Sequence, residues 1–357
     1  MQAAKWFLVI LVVTAVALLL VYRADVAMWA MARAVASNMS TDTVAELPDG
    51  LHLAVCGAGA PLPDAARSGP CLGVIAGSRL FVVDAGSNGA RNLLRMGLPL
   101  GRAEAVFLTH FHSDHFDGLG EMTVLRWTGG ANHQPLPVYG PPGVEQLMAG
   151  LNQAYQLDAG YRTAHHGPEV APPAGAGGRA VTFPIPEVGR SEVIWHDAGV
   201  TISAFTVDHA PVGPAVGYRF DYAGRSLVIS GDTVKSAEVA RVAQGVDLLA
   251  HEALSPRLVG IINRAATAAG QTNIAAITFD ILDYHTTPVE AAETAAQAGV
   301  GHLLLYHVVP PLPLPGLAGA FLEGVSDAYR GPVTLSRDGT FVSMPAGSNA
   351  IDVSNRL

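Results

Sequence analysis

Three histidines and an aspartate fall within six positions, His110-Phe111-His112-Ser113-Asp114-His115, directly after the short apolar run Ala105 to Leu108. Imidazole and carboxylate are the ligands that suit zinc and similar divalent ions. A tight loop at the end of a buried strand can aim them in two directions. His110 and His112 alternate and can share one ion, while Asp114 and His115 can face a second. Packing these groups together without such a role would bury polar atoms at a cost.

The rest of the chain supplies strands and helices around this loop. Leu51 to Cys56 reads as a strand, and Leu72 to Ala76 with Leu80 to Val83 reads as a hairpin about Gly77-Ser78. A helix is expected over Gly89 to Met96. Strand then helix recurs near the C-terminus: Leu227 to Ile229, Ala237 to Val242, Leu248 to Ala250, and Leu303 to Tyr306 after a helix Pro288 to Ala298. For that last helix Thr287 suits the N-cap, Pro288 the first turn and Gly299 the stop. Mixed elements without strict βαβ alternation argue for a layered α/β fold. The stretch from Thr128 to Arg190, rich in glycine and proline, reads as a long loop or lid with one helix, Val144 to Tyr155.

Thr109 to Gly118, H-x-H-x-D-H followed by x-x-G, resembles the signature of the metallo-β-lactamase superfamily. That family then needs a lone histidine, an aspartate after a strand and a final histidine after another strand. His209 stands in FTVDHAPVGPAVGYRF, Asp232 in LVISGDT and His307 in LLLYHVV. The resemblance implies an αββα sandwich with two divalent metal ions, zinc being expected. One ion would take His110, His112 and His209, and the other Asp114, His115 and His307, with Asp232 bridging. It also implies a hydroxide between the metals as nucleophile. Asp84 in FVVDAG sits where the family has an aspartate beneath the metal loop. An aspartate at position 232, where class B β-lactamases have cysteine, argues against a β-lactam substrate.

Other segments resemble the ribonuclease Z and arylsulfatase branch of that family: Pro137-Val138-Tyr139-Gly140-Pro141, Ala250-His251-Glu252-Ala253 and His285-Thr286-Thr287. Carried over, Glu252 would orient His285, and His285 would protonate the leaving group. With Asp114 these make up the expected catalytic residues. Ribonuclease Z inserts a tRNA-clamping arm between the lone histidine and the bridging aspartate. Here His209 and Asp232 are separated by what reads as two strands and a Tyr222-Ala223-Gly224-Arg225 turn, with no room for an arm. In the expected lid, His165, His166, Trp127 and Tyr161 are candidates for touching substrate.

The formal net charge is -9, lysine occurs only at Lys5 and Lys235, and the arginines are scattered. Binding through phosphates needs a basic footprint. The missing arm, this acidic balance and an expected export together argue against nucleic acid, and with the branch resemblance they imply a small exported ester substrate, an arylsulfate or phosphodiester. The alternatives are a ribonuclease Z-type phosphodiesterase or a lactonase. A homodimer is a further expectation.

An uncharged run, apolar but for Thr14, extends from Trp6 to Tyr22 between Lys5 and Arg23. This reads as a membrane-anchor helix, with a cleaved signal peptide as the alternative. The expected organisation is an anchor or signal over 1–36, a linker over 37–46, the catalytic domain over 47–345 and a tail over 346–357. The expected location is the cell membrane with the catalytic domain exported, or secretion after cleavage. Cys56 and Cys71 are either buried thiols or, after export, a disulfide.

Overall fold

Side chains alternate between the two faces of a strand, and here the alternation sorts the apolar residues into layers. In the strand Gly50–Gly57 (β1), Leu51, Leu53 and Val55 belong to one cluster, and Ala54 and Cys56 to another. The molecule, a computed structural model, describes residues 2–40 and 42–357. It divides into two units, Met1–Thr43 and Val44–Leu357.

The first unit holds two helices, Gln2–Val21 and Arg23–Ser40, broken at Tyr22. The apolar stretch inside the first helix runs from Trp6 to Val21, whereas a spanning helix needs about 20 consecutive, mostly apolar residues. Among the described residues, no helix is long and apolar enough to cross a membrane. This finding corrects the expected membrane anchor over Trp6 to Tyr22, and the exported membrane location built on it.

The second unit contains two sheets. After β1 come β2 (Cys71–Ala76), β3 (Arg79–Val83), β4 (Ala103–Phe107), β5 (Leu136–Gly140), β6 (Gly178–Thr182), β7 (Glu192–Asp197) and β8 (Val200–Thr206). Then follow β9 (Val216–Tyr222), β10 (Arg225–Ile229), β11 (Leu248–Leu254), β12 (His302–Val309), β13 (Val333–Leu335), β14 (Thr340–Pro345) and β15 (Asp352–Asn355). One sheet has the order β15-β14-β1-β2-β3-β4-β5-β6, and the other β13-β12-β11-β10-β9-β8-β7. The segment after position 345 thus adds the edge strand β15.

Leu53, Phe81 and Phe107 of the first sheet share a buried cluster with Ile202, Phe220, Leu304 and Tyr306 of the second, so the sheets pack face to face. On the outer face of the first sheet, Val106 and Ile75 pack with Leu93, Met122 and Met148 of helices. Outside the second, Leu303 and Leu305 pack with Val239, Ala292 and Ala295. Three apolar layers between four structural layers make the αββα sandwich expected from the sequence.

Several local readings hold closely. β2 and β3 pair antiparallel about Gly77, whose φ is 60°. The helix Pro288–Ala298 carries a capping box at Thr287 and ends at Gly299 with φ 62°. The stretch from Thr128 to Arg190 differs: it is not a lid loop but contains β5, β6 and the helix Val144–His166.

Candidate metal centre

The centre forms at the carboxyl ends of strands, where open α/β sheets place their ligand crevices. β3 and β4 run parallel. Asp84 follows the first and the histidine loop the second. Asp84 has φ 56°, in the left-handed region, so its carboxylate turns under the loop. Its Oδ1 accepts from the Thr109 backbone N–H at 2.9 Å, and its Oδ2 lies 2.8 Å from Nδ1 of His115. Gly118 closes the loop: its N–H donates to the Ala85 carbonyl, and a Cβ there would run into the Gly86 backbone.

His209 follows β8, Asp232 follows β10 and His307 lies within β12. A bulge aims His307. Between β11 and β12 the register passes from Glu252 opposite Tyr306 to Ala253 opposite Val308, leaving His307 as the extra residue with φ 47°. Bulges of this kind re-aim one side chain out of the ladder.

The seven residues converge as two groups of candidate ligand atoms: His110, His112, His209 and Asp232, then Asp114, His115 and His307. In the first, Nε2 of His110 and Nε2 of His209 lie 3.1 and 3.4 Å from Nδ1 of His112. Those spacings match the edge of a tetrahedron with metal–nitrogen bonds of about 2.0–2.1 Å. Oδ2 of Asp232 lies 3.2 Å from Nε2 of both His115 and His307, 3.8 Å from that of His110 and 4.0 Å from that of His209. It therefore stands between the two groups.

The donor set fits a binuclear metal site on a separate count. Among the described residues, Oδ2 of Asp114, Nε2 of His115, Oδ1 of Asp232 and both ring nitrogens of His307 are buried without a hydrogen-bond partner. Native proteins rarely leave such atoms unsatisfied. The outer ring nitrogens are mostly held, as metal-binding histidines require: Nδ1 of His209 by the Tyr284 carbonyl at 2.9 Å, and Nδ1 of His115 by Asp84.

The protein groups alone are in electrostatic conflict. Burial, then the neighbouring His115, holds His110 well below the ordinary imidazole pKa. Burial would lower His115 too, but the Asp232 and Asp84 carboxylates outweigh it and hold it well above. Burial opposes the charge of Asp232, yet His307 and His115 hold its carboxyl well below the usual range. A divalent cation resolves this conflict by replacing protons with metal charge.

Glu252 in β11 is fully buried. Its Oε1 accepts from the backbone N–H of Thr286 at 2.8 Å and meets Nδ1 of His285 at 3.2 Å. Burial lowers the His285 pKa, but the charge and hydrogen bond of Glu252 outweigh it and leave it raised. His285 also falls in a third group of candidate ligand atoms with Asp232 and His307.

A cavity of about 250 Å³ opens over the cluster. His112, Asp114, Asp232, His285 and His307 line it, together with Leu62, Ile277, Ile281 and Tyr284. These last four were not singled out from sequence. Ile277 belongs to a helical hairpin, Pro256–Ala268 and Thr272–Asp280, whose sequence signal is the Ser255-Pro256 pair of N-cap and first-turn residue. The earlier lid candidates do not line the cavity. Trp127 is buried and donates to the Pro172 carbonyl, Tyr161 is exposed, and His165 and His166 end the helix Val144–His166 in solvent.

Comparison with known proteins agrees with this geometry. Residues 67–298 match the model of the Metallo-beta-lactamase superfamily. The chain is 35% identical over 289 residues to a protein named Ribonuclease Z from Mycobacterium sp. (strain KMS), covering 81% of this chain and 94% of that one. Among solved structures, human tRNase Z, short form, superposes with a TM-score of 0.57 at 21% identity, over 82% of this chain and 99% of that one. The metallo-beta-lactamase fold protein YhfI from Bacillus subtilis gives 0.56 at 18%, over 82% and 98%. These two show the fold alone. The relatives named Ribonuclease Z overturn the expectation, drawn from the missing arm, the acidic balance and the expected export, that set nucleic acid aside. Fold, converging histidines and aspartates, and matched family together lead to one conclusion: the chain belongs to the metallo-beta-lactamase superfamily and is a metal-dependent hydrolase of ester bonds.

Proposed function

We propose that the chain cleaves phosphodiester bonds in RNA, as a ribonuclease Z-type enzyme. The observation that carries this reading is the 35% identity spanning 94% of a protein of that name. The small-ester reading, arylsulfate included, has no comparable support.

On this reading His110, His112 and His209 hold one zinc ion, and Asp114, His115 and His307 a second, with Asp232 shared. When bound, such ions supply Lewis-acid polarisation of the phosphoryl group and lower the pKa of water. The chain's own residues do the rest. Glu252 occupies Nδ1 of His285, so Nε2 is the nitrogen left to donate a proton to the departing oxygen. The buried Glu252 carboxylate raises the ring's pKa and so favours the protonated form that task needs. β9 and β10 lie in the interval between His209 and Asp232, which supports a reading in which RNA reaches the cluster without an arm inserted at that point.

The test sets a precursor tRNA and a single-stranded RNA beside bis-p-nitrophenyl phosphate, an aryl sulfate and a lactone, with and without chelator. RNA cleavage that disappears with chelator and in His285→Ala is the expected result. Turnover of the sulfate or lactone with the RNAs left intact would overturn the reading.

A further inference from the structure

Glu252 stands where its strand has run out of one neighbour. β10 and β11 run parallel, and their last pair is Ile229 with Ala250. Alternate residues of a strand turn their backbone groups to the same side. The Ala250 carbonyl accepts from the Ser230 N–H on the β10 side. The N–H and carbonyl of Glu252, two positions on, therefore point the same way, beyond the end of β10.

Buried backbone groups need partners, and here side chains replace the strand. The Glu252 N–H donates to Oγ of Ser230 at 3.0 Å, and the Glu252 carbonyl accepts from Nδ1 of His251 at 2.8 Å. Ser230 gives its own hydroxyl hydrogen to the Gly231 carbonyl at 2.7 Å, one residue before Asp232. The backbone of Glu252 is thus held at both its polar groups while its carboxylate meets His285.

Little else accounts for a histidine at 251. The residue is fully buried. By strand alternation it shares a face with Leu249 and Ala253, which pack in an apolar cluster with Ala291, Ala292 and Ala295 of the outer helix. A carbonyl only accepts, so Nδ1 carries the proton and Nε2 a lone pair. Among the described residues nothing bonds that Nε2, and burying such an atom unpaired costs stability. A leucine would suit this face better, but it could not make the bond to the Glu252 carbonyl.

Resting on the reading of His285 as proton donor, we infer that His251 is a positioning residue for the proton-transfer pair. Its ring stands in for the absent strand, fixes the Glu252 backbone, and so fixes where the carboxylate holds His285. His251 does not line the cavity, so it acts only through Glu252.

The experiment compares His251→Leu, His251→Asn and His251→Gln in the metal-loaded protein, on phosphodiesters with a p-nitrophenyl or an alkyl leaving group. Asparagine keeps an N–H donor near the place of Nδ1, whereas glutamine puts one near that of Nε2. A displacement of about 1 Å can cost on the order of a hundredfold in rate, so His251→Leu should lower kcat for the alkyl ester by roughly tenfold or more. KM and metal content should hold, and the p-nitrophenyl ester, whose leaving group needs no proton, should lose little. His251→Asn should recover most of the lost rate, and His251→Gln should not. The urea midpoint of His251→Leu should match or exceed the parent's, which separates lost placement from lost folding. Should that variant not fold, the contrast between asparagine and glutamine decides alone. His285→Ala runs alongside. If it loses the alkyl ester while His251→Leu keeps it, or if asparagine and glutamine behave alike, the inference is overturned and His285 keeps its role. If His285→Ala cleaves the alkyl ester at the parent's rate, the proton-donor reading falls and the assignment of His251 falls with it.

Discussion

Nδ1 of His285 meets Oε1 of Glu252 at 3.2 Å, and the same oxygen accepts from the backbone N–H groups of Thr286 and Thr233 at 2.8 and 3.3 Å. One carboxylate oxygen thus gathers three donors from two segments in a fully buried place. Geometry held this firmly fixes the ring in one orientation.

Replacing His285 with alanine should lower turnover of a poor leaving group by roughly a hundredfold or more, the scale for losing a general acid. Glu252→Gln should lower it by less, because the amide keeps the shape and loses the charge. Metal content, read by elemental analysis, should be unchanged in both. A drop in bound metal in His285→Ala would instead make His285 a ligand beside Asp232 and His307.

The loaded protein should hold close to two divalent ions per chain. Asp232→Ala should reduce occupancy in both positions, since Oδ2 of Asp232 lies within 4.0 Å of rings from both groups. His209→Ala should spare the ion held by Asp114, His115 and His307. Native mass spectrometry distinguishes the two patterns. Equal loss in both variants would contradict the division.

Cys56 and Cys71 are joined by a disulfide across 15 positions. Closing a loop of that size stabilises a fold by about 3 kcal/mol, chiefly by restricting the unfolded chain. Cys56→Ser with Cys71→Ser should therefore lower the urea midpoint, and reductant should do the same to the parent protein. An unshifted midpoint would mean that the Asp338 carboxylate, which accepts from the N–H groups of Ala58 and Ser68, holds the loop unaided.

His52 predicts a pH effect far from the metals. Burial, partly offset by the Pro48 carbonyl, lowers its pKa below the ordinary value of about 6.5. As pH falls through that value the unfolded chain takes up a proton that the folded chain refuses, so stability is present above it and lost below. Burial lowers His302 likewise. Between pH 7.5 and 5.5 the parent should lose more unfolding free energy than His52→Gln. Parallel curves would refute this.

The metal loop was legible because its four residues are neighbours in sequence, so no long-range folding was needed to see them. His209, Asp232, Glu252, His285 and His307 were legible because each follows or sits in a recognisable strand or motif. The bulge at His307 was not, since HLLLYHVV reads as an unbroken buried run and the extra residue exists only relative to β11. The helix Val144–His166 outran its expected end at Tyr155 because only Val144 and Met148 are buried, leaving no apolar stripe to count. The helical hairpin has no strand beside it in sequence to mark it, although its first helix is well capped. Net charge was a poor guide to partners because a total over the sequence carries no information on where the charges lie on the fold.

The Leu254 N–H donates to the Thr286 carbonyl at 2.8 Å, while the Thr286 N–H donates back to Glu252. The two ends of the inserted hairpin are therefore stitched together at its base, with Glu252 just outside the stitch and Tyr284 and His285 just inside its far end. The stitch sets His285 against Glu252, and sets the Tyr284 carbonyl against Nδ1 of His209, at the point where the hairpin meets the metal centre.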